Sequence, residues 1–176
     1  MSCNKISSGR SFACLENTGG IRRAFIANFE DVSAFTISGT TSKVDAITMV
    51  AGSPTPVYYE YNFEKTTGEL NVSSEINIQN GTKGFTGTLK LKFFKNEQAN
   101  FNQLESLAYN PASIIVEDLN GKYILLGMLN NCSVSAINVA WGVGLGDFNG
   151  QEIEWTFSEK SLPKELLSES VITAVI

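Results

Sequence analysis

Residues 68–94, GELNVSSEINIQNGTKGFTGTLKLKFF, decide the fold. Ahead of Asn80-Gly81, Leu70, Val72, Ser74, Ile76 and Ile78 alternate with Asn71, Ser73, Glu75, Asn77 and Gln79. Behind it, Phe85, Leu89, Leu91 and Phe93 alternate with Thr86, Thr88, Lys90 and Lys92. Strict alternation is the signature of a strand with one buried face. Asn-Gly between two such runs signals a hairpin, because a type I′ turn needs φ > 0 at both central residues. A two-residue loop there predicts Ile76 opposite Phe85, Val72 opposite Leu89 and Leu70 opposite Leu91. It also sets Glu75 against Thr86, Asn71 against Lys90 and Glu69 against Lys92, so apolar meets apolar and polar meets polar. A one-residue slip would turn every side chain to the wrong face.

Working outward, the chain of 176 residues suits one domain with a substantial core. Hydrophobic residues at 43% and charged residues at 18% describe a folded protein and exclude a disordered one. A net charge of −5 and a pI near 4.8 argue against binding nucleic acid by electrostatic attraction. Histidine is absent, which removes the usual general base and the commonest metal ligand together.

Of the three cysteines, Cys3 and Cys14 lie near the N-terminus without CxxC spacing, and Cys132 stands alone. Neither a zinc site nor a redox motif is signalled. A Cys3–Cys14 disulfide stays open, while the odd count in a chain without a secretory signal favours free thiols. No apolar run reaches membrane-spanning length. Asn71-Val-Ser, Asn80-Gly-Thr and Asn131-Cys-Ser fit the glycosylation pattern but read as chance matches in an Asn-rich β protein.

Residues 1–20 are rich in Ser, Gly and Asn without periodicity, and are expected to be an interaction arm held by a neighbouring subunit. Residues 21–29 read as the first core strand, 34–38 and 43–50 as two more across a Gly39 turn, and 57–63 as a strand feeding the hairpin in a three-strand meander. Asn96 as N-cap, the spacing of Phe101, Leu104, Leu107 and Ala108, and the stop at Asn110-Pro111 predict a helix over 97–109 lying on a sheet face. Residues 113–117 and 122–127 form a second hairpin, apolar on both faces and therefore central. Strands are expected over 131–141 and 152–159, the second with Ile153, Trp155 and Phe157 inward and Glu152, Glu154 and Thr156 outward. A short helix about Pro163 to Leu167 precedes VITAVI, an all-apolar, β-prone terminus that needs a partner. The predicted architecture is mainly β with one main α-helix, an antiparallel β-sandwich or partial barrel with a long extended hairpin. It divides into an arm (1–20), a β domain (21–159) and an interaction tail (160–176).

Chemistry is sparse. Residues 142–150 contain GxGxG, but a phosphate cradle requires a helix after the glycines, and a strand follows. Asp147 and Asn149 lack the further carboxylates of a calcium loop. Glu60, Glu75, Glu117, Asp118, Glu152 and Glu154 could supply a carboxylate pair for glycoside hydrolysis, yet most fall on solvated strand faces or turns. No catalytic, cofactor or metal residue is assigned, and the chain is not expected to be an enzyme. Tyr58, Tyr59, Tyr61 and Trp141 are the residues with which a carbohydrate-binding β-sandwich, a receptor- or host-surface-binding module, would work; their spacing is that of half-buried strands.

The order of motifs resembles a known family. Cys3, Gly9-Arg10 and Cys14 precede Gly19-Gly20-Ile21 and Ala27-Asn28-Phe29. The hairpin, the helix, IVEDLNGKYILLG (115–127) and Gly146-Asp-Phe-Asn-Gly150 follow. Together, over about residues 3–158, they are similar to tail-tube-like virion proteins of phages of Bacteroidetes, the crAss-like phages included. The resemblance implies a structural ring or tube segment of the tail, a homo-oligomer of six or twelve copies around a channel for genome ejection. It implies contacts with neighbouring tail or portal-connector proteins, DNA only in transit, no membrane, no cofactor, and assembly in the host cytoplasm. The hairpin would then join its neighbours into an inner barrel, with Asn71, Ser73, Glu75, Asn77, Gln79, Asn80, Gly81, Thr86, Thr88, Lys90 and Lys92 lining the channel or meeting the next subunit. Its arms would reach about 33 Å. Its apolar face, fully buried, would contribute about 12–24 kcal/mol as an upper bound. Val171, Ile172, Val175 and Ile176 would exchange between rings.

Overall fold

The computed structural model describes residues 18–64 and 67–176. Those residues form three antiparallel sheets and two helices. The strands are β1 (Ile21–Asn28), β2 (Val32–Ile37), β3 (Val44–Met49), β4 (Tyr59–Asn62), β5 (Gly68–Asn77), β6 (Thr82–Phe94), β7 (Ala112–Asp118), β8 (Tyr123–Leu126), β9 (Ser133–Ala140), β10 (Gly150–Glu159) and β11 (Lys164–Glu165). Helix α1 covers Gln98–Tyr109 and α2 covers Glu169–Thr173. Strand order is β11-β8-β7-β1-β4 in the five-stranded sheet, β5-β6-β10-β9 in the four-stranded sheet, and β2-β3 in the smallest. No sheet closes into a barrel among the described residues.

The apolar-on-both-faces pattern of β1 and β7 explains the layering. Ala24, Ile26, Ile114, Val116 and Leu126 face the four-stranded sheet and meet Leu89, Leu91, Ile153, Trp155 and Phe157. Phe25, Ala27, Ile115 and Leu125 point the other way, into a second core. Such strands are stable only if both faces are covered. Val44 and Ile47 of the β2–β3 ribbon, with Val171, Ile172 and Val175 of the tail, cover the outer one.

Several expectations are corrected. The hairpin forms, but its register is Leu70↔Leu89, Val72↔Gly87, Ser74↔Phe85 and Asn77↔Thr82, two residues from the predicted pairing. A shift of two keeps every side chain on its expected face. The turn spans 78–81 instead of two residues. Asn77 Oδ1 accepts from the Asn80 amide at 3.0 Å and the Ile78 carbonyl from the Gly81 amide at 3.3 Å, and only Gly81 of the turn has positive φ, +65°. Strand β4 does not continue into a meander with β5. It pairs with β1 in the other sheet, so the chain crosses between layers after Asn62.

Helix α1 begins one residue later than expected, and its N-cap position is Glu97, without a side-chain cap bond. The Asn96 side-chain Nδ2 instead donates to the Ala140 carbonyl at 2.7 Å and to Asn149 Oδ1 at 2.9 Å, tying the helix start to the end of the four-stranded sheet. From there Phe101, Leu104 and Leu107 pack into the core between the sheets. The region after Pro163 is a short strand, β11, against β8, and part of VITAVI is helical. Three of the four residues expected between rings, Val171, Ile172 and Val175, are buried in the chain's own second core, and Ile176 alone is exposed. The Val175 carbonyl also accepts from the Tyr58 amide at 2.8 Å.

Candidate functional site

The expected hairpin residues come together on the outer face of the four-stranded sheet. Register places Asn71 opposite Thr88 and Ser73 opposite Thr86. Strand β10 then continues the rows, with Lys90↔Glu154, Thr88↔Thr156, Lys92↔Glu152 and Thr86↔Ser158. Lys90 Nζ lies 2.9 Å from Glu154 and Lys92 Nζ 3.0 Å from Glu152. The bond to Glu154 holds the Lys90 ammonium above its ordinary pKa. Asn71 Nδ2 donates to Glu69 at 2.6 Å, and Thr86 Oγ1 to Glu75 at 3.4 Å. With both lysines matched across the β6–β10 ladder, Glu69 and Glu75 leave the face weakly acidic. A polar, weakly acidic surface is well solvated and does not attract a phosphate backbone.

Gln79, Asn80 and Gly81 lie in the turn, and Asn77 braces it. Beyond the last β10 partner, where Glu159 meets Phe85, the hairpin projects on its own. Ile76 and Ile78 are therefore 61% and 90% exposed, not buried as the alternation predicts. The core ends where β10 ends.

Glu152, Glu154 and Thr156 belong to this face as well, outside the hairpin to which alternation alone assigns it. Their outward parity was legible. The available signal was charge matching between Lys90/Lys92 and Glu152/Glu154, which are oppositely charged at the same spacing.

The edges of the two larger sheets differ. Strands β4 and β11, at the edges of the five-stranded sheet, have four and two residues. Strands β5 and β9, at the edges of the other, have ten and eight. The β9 sequence SVSAINVA has no charge and no proline, with one bulge at Ser135 opposite Glu154/Trp155. Open edges of this length normally carry charges, proline, a bulge or a cover against pairing with other chains, and here β5 carries Glu69 and Glu75 and β9 its single bulge.

The tyrosines do not form one platform. Tyr58 is buried in the second core with its hydroxyl 2.8 Å from Ser113 Oγ, and burial raises its pKa. Tyr61 packs on the opposite face of the same sheet, edge-on to Phe93, with its hydroxyl accepting from Gln103. Tyr59 is exposed, and Trp141 stands by Phe101.

The carboxylates considered for catalysis are engaged structurally. Glu117, nearly buried, is paired with Arg22 and Arg23, and Arg23 also reaches Glu60 and Glu169. Glu117 first, then Glu60 and the Tyr123 hydroxyl, raise the Arg23 pKa against the opposing effect of burial. Residues 142–150 form a tight turn in which Asp147 Oδ2 accepts from the amides of Val143 and Gly144 at 2.9 and 2.7 Å. These two bonds lower the Asp147 pKa. Strand β10, not a helix, follows. Among the described residues no group of His, Cys, Asp and Glu is arranged to hold a metal, and no helix is long and apolar enough to cross a membrane. Cys132 is buried as a free thiol; Cys3 and Cys14 lie outside the described residues, as does most of the expected arm. In comparisons with known proteins, no family model and no curated protein matches the chain.

Proposed function

We propose that the protein is a structural virion component, a ring or tube segment of a phage tail whose subunits surround a channel for the genome. The observation that carries this reading is the four-stranded sheet. It has two long edges on opposite sides, one largely polar face, and a hairpin projecting past its own core. Pairing the β5 edge of one copy with the β9 edge of the next is a heterologous contact, which closes into a ring when the rotation per subunit divides a full turn. Each new edge pair satisfies backbone N–H and C=O groups that otherwise face water. The polar face, bearing Asn71, Ser73, Thr86, Thr88 and the paired Lys90 and Lys92, would line the channel, where weakly acidic character lets DNA pass without retention. Neighbouring tail or portal-connector proteins would sit above and below.

Native mass spectrometry and negative-stain microscopy of the full chain at high concentration test this. Closed rings are expected. Monomers alone, even with virion neighbours added, would sink the reading. Gly81→Val sharpens it: a β-branched residue at φ +65° costs about 1–2 kcal/mol locally. The turn fixes the free end of the β5 edge and lies outside the core, so ring formation should fall while the monomer loses no more than that local cost in urea unfolding.

A further inference from the structure

The hairpin tip and an apolar groove lie at opposite ends of the four-stranded sheet, on the same side of it. At one end, Thr82 to Gly84 and the loop 78–81 extend past Glu159. At the other, Phe94, Gly150 and Ala140 stand level, and α1 and Trp141 follow directly. There a groove of about 320 Å3 is lined by Phe101, Tyr109, Ile137, Val139 and Trp141, with Glu105 at its border. Ile137 and Val139 share the core-facing side of the sheet, as do Leu70 and Val72. By alternation Ile76 continues the Leu70–Val72 side out to the tip. A copy displaced along the strand direction, and across the sheet by the three strand spacings of about 14 Å that separate β5 from β9, thus brings its Ile76 side over the groove side of the next. Charge is complementary as well, with Lys83 on the tip, its ammonium 5.2 Å from the Phe85 ring centre, and Glu105 at the groove.

The geometry points to an axial, head-to-tail contact in which the hairpin tip of one copy, Ile76 and Ile78, docks in the α1–β9 groove of a second copy. This rests on the tail-segment reading and identifies which surfaces meet along the tail axis. It replaces Val171, Ile172 and Val175, which the fold keeps inside. A contact between two different surfaces that does not close builds a stack.

Tip and groove are separated along β6 by about 40 Å, so no single chain can bring them together. Full-length protein carrying the photo-crosslinking residue p-benzoylphenylalanine at position 78 is irradiated at assembling concentration and the products mapped by mass spectrometry. Cross-links from 78 to the segments around Phe101, Tyr109 or Trp141 are expected, and these must join two copies. Rings present with cross-links elsewhere would overturn the tip–groove contact and leave the ring intact; monomers throughout would overturn both. In parallel, Ile76→Asn with Ile78→Asn should weaken stacking of rings at least about tenfold while single rings persist. Stacking unchanged by that pair of substitutions overturns the inference.

Discussion

The five-stranded and four-stranded sheets are built from similar strands and end in opposite conditions. The first is covered on both faces, by the four-stranded sheet on one side and by the β2–β3 ribbon with the tail on the other. Its edge strands are short, and its charged rim, Glu117 with Arg23, is neutralised internally. The second has one face in the core and one in water, two long edges, and an arm that leaves the core altogether. The difference separates duties: the five-stranded sheet holds the chain together, and the four-stranded sheet offers what remains unsatisfied. Unsatisfied backbone and exposed isoleucines are where a chain of this kind gains by meeting another.

Substitution tests the contrast most strongly in the five-stranded sheet. Phe25 is 1% exposed between Tyr123 and the second core, so Phe25→Ala should cost about 3–5 kcal/mol in urea unfolding. Thr88→Ala on the polar face should stay within about 0.5 kcal/mol. Equal losses at the two sites would abolish the distinction. A smaller effect is expected where the four-stranded sheet meets the core. A Cβ added at Gly87 would lie 2.2 Å from Phe157 Cζ, so Gly87→Ala should cost about 1–3 kcal/mol by overpacking. An undiminished unfolding free energy would mean that Phe157 moves freely and that the hairpin is loosely seated.

The smallest effect concerns the turn ahead of β10. Asp147 is exposed and its pKa is depressed, so its contribution is complete above the ordinary aspartate pKa of 3.8 and is lost as pH falls through the lowered value. The Val143 and Gly144 amide resonances should shift together in that acid window while core resonances stay fixed. Amides that hold their positions there would show the two bonds to be absent in solution.

Much of this was legible along the chain. The alternation in β6 and β10, the two-faced apolar runs of β7 and β8, and the helical spacing of α1 each reflect a period set by backbone geometry, which does not depend on what lies across the core. The polar residues of the candidate face were legible for the same reason. Less could be read at the turn, where Asn80-Gly81 signals a two-residue loop. The observed loop needs positive φ only at Gly81, with Asn77 replacing the second turn constraint, and pairing with β10 holds β6 in place. The terminus misled through propensity. Val171 to Ile176 is β-prone, yet the uncovered face of Phe25, Ile115 and Leu125 takes Val171, Ile172 and Val175 in a partly helical form, because burial outweighs local preference.

Sequence by itself determined which residues share a face of the main strands, where those strands and the main helix lie, and that the chain carries a hairpin with one polar face. Alternation and helical spacing act within a few residues, so a linear reading reaches them. Tertiary structure alone decided that β4 leaves the hairpin for the other sheet, that the tail closes the second core, and that Ile76 and Ile78 stand outside any core. Those outcomes depend on which surfaces remain uncovered once distant strands have paired. For residues 68–94, the sequence thus set the two faces of the hairpin, and the end of β10 set how much of it projects.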